Sequence, residues 1–140
     1  RYWMNLTPSD IMWNMSDTAW VKEAIWSIFG LWFQGTCVFV HAMPQFDPRG
    51  ILNTLCRYPV IALCSAPTVY CALVQHDLTR YAFKTPRHCL NGGEPLNPEV
   101  MAPWTHQTGL TIYEGCGQTK IGIICANMKR MQIKPGSLGK

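Results

Sequence analysis

Short apolar runs recur along this chain, and several lead directly into a segment that opens on proline. "VIALCSA" (60–66) runs into "PTVYCALVQH" (67–76), and "RHCLNGGE" (87–94) precedes "NPEVMAPWTHQTG" (97–109). A strand buried on both faces reads as a continuous apolar run, and proline at the first helical position suits the start of the next helix. The same grammar predicts a helix in "DPRGILNTLCRY" (47–58), capped by Asp47 with Pro48 behind it. In 97–109 the cap is Asn97, the first helical residue Pro98 and the stop Gly109. "TCVFVHA" (36–42) reads as a further buried strand, and "LTIYE" (110–114) and "IGIICAN" (121–127) as two more. Upstream, Trp20, Ala24, Ile28 and Trp32 recur near helical spacing, predicting a helix over 18–34 with Ser16 and Asp17 as candidate caps and Gly35 as its end. This rhythm defines an α/β fold, part of a layered, mostly parallel β-sheet domain with helices on both faces. Pro103 falls inside the last helix, where a proline costs about 3 kcal/mol, so a kink or an early stop is expected there.

Charge narrows the function classes. Only 14% of the residues are charged, against a usual level of about 25%. The net charge of +4 is scattered, with no run of lysine or arginine, so no nucleic-acid partner is expected. The apolar stretch from Trp20 to Phe33 carries Lys22 and Glu23 and is too short to span a bilayer, so no membrane span is expected either, and no signal peptide is read in the chain. Of the seven cysteines none forms a CxxC pair, and Cys37, Cys64, Cys89 and Cys125 sit in apolar runs. Buried free thiols in a reducing compartment are the expectation. His41, His76, His88 and His106 share no metal-ligand spacing.

Two strand ends carry polar, glycine-rich sequence: "NGGEPLN" (91–97) and "YEGCGQTK" (113–120). Each alone reads as a turn. Together, one βαβ unit apart, they place a small-molecule crevice outside the carboxyl ends of neighbouring strands. Neither a GxGxxG fingerprint nor a GxxxxGK[ST] phosphate loop is present.

"SDIMWNMSDTAW", "CSAPTVY", "GGEPLNPEV", "IYEGCGQT" and "KPGSLGK" follow one another along the whole chain in an order that resembles the adenylate-forming enzymes, and within them the medium-chain acyl-coenzyme A synthetases. The resemblance implies that residues 1–140 are a central piece of the large N-terminal AMP-binding domain. Its phosphate loop would lie upstream and its small C-terminal domain, with a catalytic lysine, would follow. It implies activation of a medium-chain or related carboxylic acid by ATP, with Mg²⁺, to an acyl-adenylate, and then transfer to coenzyme A in the mitochondrial matrix. Gly93, Glu94 and Pro95 match the segment along the adenine. Glu114, Gly115, Cys116, Gly117, Gln118 and Thr119 match the segment around adenine and α-phosphate, with Thr119 as the catalytic contact to the phosphate. Trp20 matches a tryptophan beside the acyl pocket, and also suits a plain apolar position near a helix start. Because the substrate carboxylate is itself the nucleophile, no catalytic triad is required.

Three positions depart from the pattern. Lys120 stands where the family has the acid that helps hold Mg²⁺, so no metal ligand is expected there. Cys116 replaces an aromatic residue that stacks on adenine, and Ala19 replaces a common glycine. Nothing in the chain matches the phosphate loop. The chain is therefore expected to be a fragment or shortened product, inactive in thioester formation as a unit by itself. The alternative is a non-catalytic relative that keeps weak nucleotide or acyl binding.

Overall fold

The computed structural model describes residues 3–134 and 136–138; Pro135, Gly139 and Lys140 of "KPGSLGK" lie outside them. Six strands form one sheet in the order β2-β1-β3-β4-β5-β6. They are β1 (Ile11–Met15), β2 (Cys37–Val38), β3 (Ala62–Ser65), β4 (His88–Gly92), β5 (Ile112–Gln118) and β6 (Gly122–Ala126). All neighbours are parallel except β5 and β6, which pair antiparallel. The helices are α1 (Gly30–Trp32), α2 (Pro48–Arg57), α3 (Pro67–Leu73) and α4 (Pro98–Thr108), with a π-helical stretch Glu23–Phe29 leading into α1.

The pleat divides the core in two. Trp13, Leu63, Cys89 and Ile112 point to one face and pack with Ile51, Leu55, Tyr70, Leu73 and Trp104 of α2, α3 and α4. Their neighbours Met12, Ala62, Cys64 and Leu90 point to the other, where Trp3, Met4 and Leu31 cover them. Alternate residues of a strand face opposite sides, so strands covered on both sides are mostly apolar along their length. Tyr70 ties one face to the sheet backbone, its hydroxyl donating to the carbonyls of Leu63 at 3.3 Å and Leu90 at 3.0 Å. The α/β class with helices on both faces is what the alternation required.

The helix signals act locally. Asp47 accepts from the Arg49 amide at 3.0 Å and Asn97 from the Glu99 amide at 3.0 Å, each with proline next in the chain. Gly109 closes α4 in the left-handed region, at φ 70°. Pro103 does not stop α4, which runs on to Thr108. Val100 and Trp104 on either side of it are buried, and that packing holds the helix together across the missing donor.

Four further expectations are corrected. β1 has no counterpart among the elements read from the sequence. β2 is two residues rather than a buried run over 36–42, because it is an edge strand with β1 as its single neighbour; Val40 is 84% exposed. The helix over 18–34 starts later. Asp17 instead closes a turn, its carboxylate accepting from the Ala19 amide at 2.8 Å, and the chain then winds as a π-helix. Gly30 permits that winding, since a Cβ there would sit 2.3 Å from the Ile25 carbonyl oxygen. The glycine loop after "LTIYE" is strand: β5 continues to Gln118 and returns through a turn to β6, with a bulge between Cys116 and Gly117.

Among the described residues the seven cysteines are free, but only Cys64 and Cys89 are buried; Cys37 is exposed on the edge strand and Cys125 half-buried on β6. Burial pushes the Cys89 thiol up to about 12 and raises that of Cys64, so both act as small apolar side chains. Among the described residues no helix is long and apolar enough to cross a membrane.

His88 makes the fold pH-sensitive. Its ring is buried, donates Nε2–H to the Trp3 carbonyl at 3.1 Å and stacks on Tyr113 at 4.9 Å. Burial, with Lys129 and Arg87 adding to it, lowers its pKa below the usual 6.5, against the opposing effect of the Trp3 carbonyl. The unfolded chain then takes up a proton at a pH where the folded chain does not. Stability is full above pH 6.5 and falls as the pH drops below it, by no more than about 1.4 kcal/mol per pH unit for one proton. Urea titrations between neutral and mildly acidic pH should record that slope, and His88→Gln, which keeps a donor for Trp3, should flatten it. An equal slope in the variant would assign the effect elsewhere.

Candidate functional site

The connections of a parallel sheet leave its carboxyl edge open, and here that edge gathers residues from three connections. Trp20, Val21 and Lys22 come from the chain after β1, Gly93 from the end of β4, and Gly117, Gln118, Thr119, Lys120 and Gly122 from the β5–β6 hairpin. With Ile25 and Trp26 they line one cleft of about 430 Å³. This is where open α/β sheets hold ligands.

The register of β4 against β5 sets Asn91 opposite Glu114 and Gly92 opposite Gly115, so the two glycine-rich segments are neighbours. Glu114 joins them. Its carboxylate is buried, and Oε1 accepts from the Leu96 amide at 2.8 Å and from Asn91 Nδ2 at 3.3 Å. Asn91 Nδ2 also donates to the Glu94 carbonyl at 2.9 Å. The turn through Gly93, Glu94 and Pro95 is thereby fastened to β5.

The strand glycines have a packing reason. A Cβ on Gly115 would lie 2.6 Å from the Trp3 indole, and one on Gly92 would lie 3.1 Å from Trp26. The two indoles meet edge to face at 5.3 Å. A Cβ on Gly117 would lie 2.3 Å from the Gly122 carbonyl oxygen across the hairpin. These glycines admit neighbouring protein groups.

Of the residues singled out from sequence, Trp20, Gly93, Gly117, Gln118, Thr119 and Lys120 share the cleft, and Trp20 is 68% exposed over it. Glu94, Pro95, Glu114, Gly115 and Cys116 do not line it. Gly115 faces Trp3, so its neighbour Cys116 points to the opposite side of β5, across from Cys125 on β6. Val21, Lys22, Ile25, Trp26 and Gly122 line the cleft and were missed. Lys22, which seemed only to interrupt an apolar stretch, donates from Nζ to the Gly92 carbonyl at 3.0 Å. Trp26 sat among helical apolar positions, and no local pattern marks it as a wall.

The charged side chains of the cleft are Lys22 and Lys120, with no carboxylate among its lining residues. Among the described residues, no cluster of three metal-binding side chains occurs. Two ammonium groups fit an anion and do not fit a divalent cation. Gln118 and Thr119 add neutral polar groups beside them.

With this geometry described, the chain can be set beside known proteins. The AMP-binding enzyme family matches residues 1–140. Acyl-coenzyme A synthetase ACSM4, mitochondrial, of Rattus norvegicus is 65% identical over 140 residues, all of this chain and 24% of that protein. Acyl-coenzyme A synthetase ACSM3, mitochondrial, of Homo sapiens is 56% identical over the same share of each. The chain thus spans about a quarter of the curated relatives it matches. Among solved structures, an acyl-CoA synthetase of Brucella canis superposes with a TM-score of 0.90 at 26% identity, over 99% of this chain and 26% of that one. ATP-bound MatB of Rhodopseudomonas palustris superposes with a TM-score of 0.81 at 26% identity, over 98% of this chain and 27% of that one.

Proposed function

This chain belongs to the AMP-binding enzyme family, and from that premise we propose that it forms the β4–β5 wall of the adenylation site in an acyl-coenzyme A synthetase. The whole enzyme joins a medium-chain or related carboxylic acid to the α-phosphate of ATP, releasing pyrophosphate. The thiol of coenzyme A then takes the acyl group and releases AMP. Its setting, carried over from the names of its relatives, is the mitochondrion, and by the family resemblance the matrix.

The observation that carries this reading is the meeting of Trp20, Gly93 and the Gln118–Thr119–Lys120 turn in one cleft at the carboxyl edge of the sheet. Attack of a carboxylate on a phosphate is opposed by like charge, so the site must align the groups and offset charge growing on the phosphate oxygens. In this assignment the Thr119 hydroxyl donates to a phosphate oxygen, Gly93, Glu94 and Pro95 run along the adenine, and Trp20 closes the acyl side. From β5, Gly117 borders the nucleotide, while Gly115 and Cys116 carry the strand outside the cleft and bring no aromatic ring to stack there. Glu114 supports the site through the turn it fastens. Mg²⁺ belongs to the chemistry of the family, but the donor set of this cleft does not fit it, and no step here is routed through a metal.

Lys120 and Cys116 also favour a second reading, a relative that binds nucleotide or acid without turning over. A graft decides between them. Residues 1–140 are put in place of the matching segment of human ACSM3, and octanoate-dependent AMP release is measured with the parent enzyme as control. The synthetase reading expects AMP release from the graft and a loss on the order of hundredfold in kcat on Thr119→Ala. A graft that folds and binds ATP without releasing AMP supports the non-catalytic relative.

A further inference from the structure

The cleft has two positive charges and no counter-ion of its own. Glu23, next to Lys22 in the chain, turns its Oε2 to Asn14 Nδ2 at 3.1 Å and to the Ser27 hydroxyl at 2.6 Å. Glu114 is committed to Leu96 and Asn91, and Asp17 to the Ala19 amide. The ion pairs among the described residues are Arg80–Asp77 and Arg87–Asp10, neither of which involves a cleft lysine. Glu94 follows the lining residue Gly93 but does not itself line the cleft.

Lys22 is held in place. Its ammonium has three donors: one goes to the Gly92 carbonyl and a second faces the Cys64 thiol, which leaves one for a ligand at the end of β4. Lys120 stands in the turn between β5 and β6 on the same cleft. The indoles of Trp20 and Trp26 line the cleft beside the two lysines.

We propose that Lys22 and Lys120 hold the phosphate of an adenylate directly, with no divalent cation between protein and ligand. The inference rests on the adenylation-site reading above and adds to it a metal-independent mode of phosphate binding at a position where the sequence pattern calls for an acid. A lysine acts as a compact point charge on a phosphate oxygen, and such charge-assisted hydrogen bonds are among the stronger ones. A divalent cation entering the same space would meet two like charges.

The test is calorimetric titration of the chain with AMP, in excess EDTA and again in millimolar Mg²⁺, with octanoate as a separate ligand. Expected are AMP affinities equal within about twofold in the two buffers and a loss on the order of tenfold for Lys120→Met in EDTA. Lys120→Glu should lose at least as much in EDTA and recover part of it in Mg²⁺, because it supplies the missing acid. Lys120 lies in a turn outside both core clusters, so these variants should fold, and circular dichroism checks that they do. Lys22→Met should also weaken AMP in EDTA. AMP binding that requires Mg²⁺, or that is unchanged by the Lys120 substitutions, overturns the proposal. So does binding of octanoate with no binding of AMP, which would assign the lysines to a carboxylate. Absence of AMP binding in either buffer overturns it as well, while the synthetase reading still stands or falls on AMP release by the graft.

Discussion

Replacing Trp104 with alanine should lower the free energy of unfolding by about 3–5 kcal/mol, the range for deleting a buried aromatic side chain. Against a total of about 5–15 kcal/mol for a typical domain, that is enough to leave much of the chain unfolded at body temperature. Trp104 is 1% exposed and meets Tyr70 edge to face at 5.3 Å. Phe83 also packs on it, with ring centroids 6.3 Å apart. Tyr70 is the side chain whose hydroxyl reaches the backbone of β3 and β4, so a cavity beside it loosens α3 and α4 from the sheet together. Removing Trp104 also removes the packing that carries α4 past Pro103. Urea denaturation followed by far-ultraviolet circular dichroism gives the number, with Trp104→Phe expected to lose well under half as much. A loss below about 1 kcal/mol for the alanine variant would mean that the site collapses around the gap and that Trp104 does not hold α4 in place.

What could be read in advance follows the range of the interactions. The caps at Asp47 and Asn97, the prolines behind them and the stop at Gly109 act within one turn of chain, and all stand as read. β3 and β4 are buried along their whole length, and the apolar residues that fill most of each make them visible. β1, an internal strand between β2 and β3, was not read at all, and β2, at the sheet edge, was not legible in the same way. Where a strand begins and ends at a sheet edge depends on partners that arrive from elsewhere, and "TCVFVHA" is as apolar exposed as it would be buried. The π-helix depends on one carbonyl approaching Gly30, which no periodicity reports. The site divides likewise. Its glycine-rich segments stood out as sequence, but their meaning came from an ordered resemblance along the chain. Lys22, Trp3 and Trp26 reach the site only because the sheet order brings distant segments together.

Glu114→Ala should free the turn that carries Gly93, Glu94 and Pro95. The carboxylate is the shared acceptor of two donors, the Leu96 amide and Asn91 Nδ2, in a buried setting. Alanine leaves both without it, and an unsatisfied buried donor costs about 1–3 kcal/mol. The penalty falls first on local opening of residues 93–96 and then on the whole fold, since α4 starts at Pro98. Amide exchange at Leu96 should therefore quicken by one to two orders of magnitude, more than at Leu90 in the middle of β4. Glu114→Gln keeps one oxygen acceptor and should recover most of the protection. In the graft into human ACSM3, the alanine variant should weaken ATP binding even though Glu114 does not line the cleft, because Gly93 does and is no longer fixed. Unchanged exchange at Leu96 would show that the turn is held by Asn91 and its own backbone, and that Glu114 contributes nothing through position. Unchanged exchange together with weaker ATP binding would instead make Glu114 a direct contact, and would move the nucleotide from the open cleft toward the Cys116 side of β5.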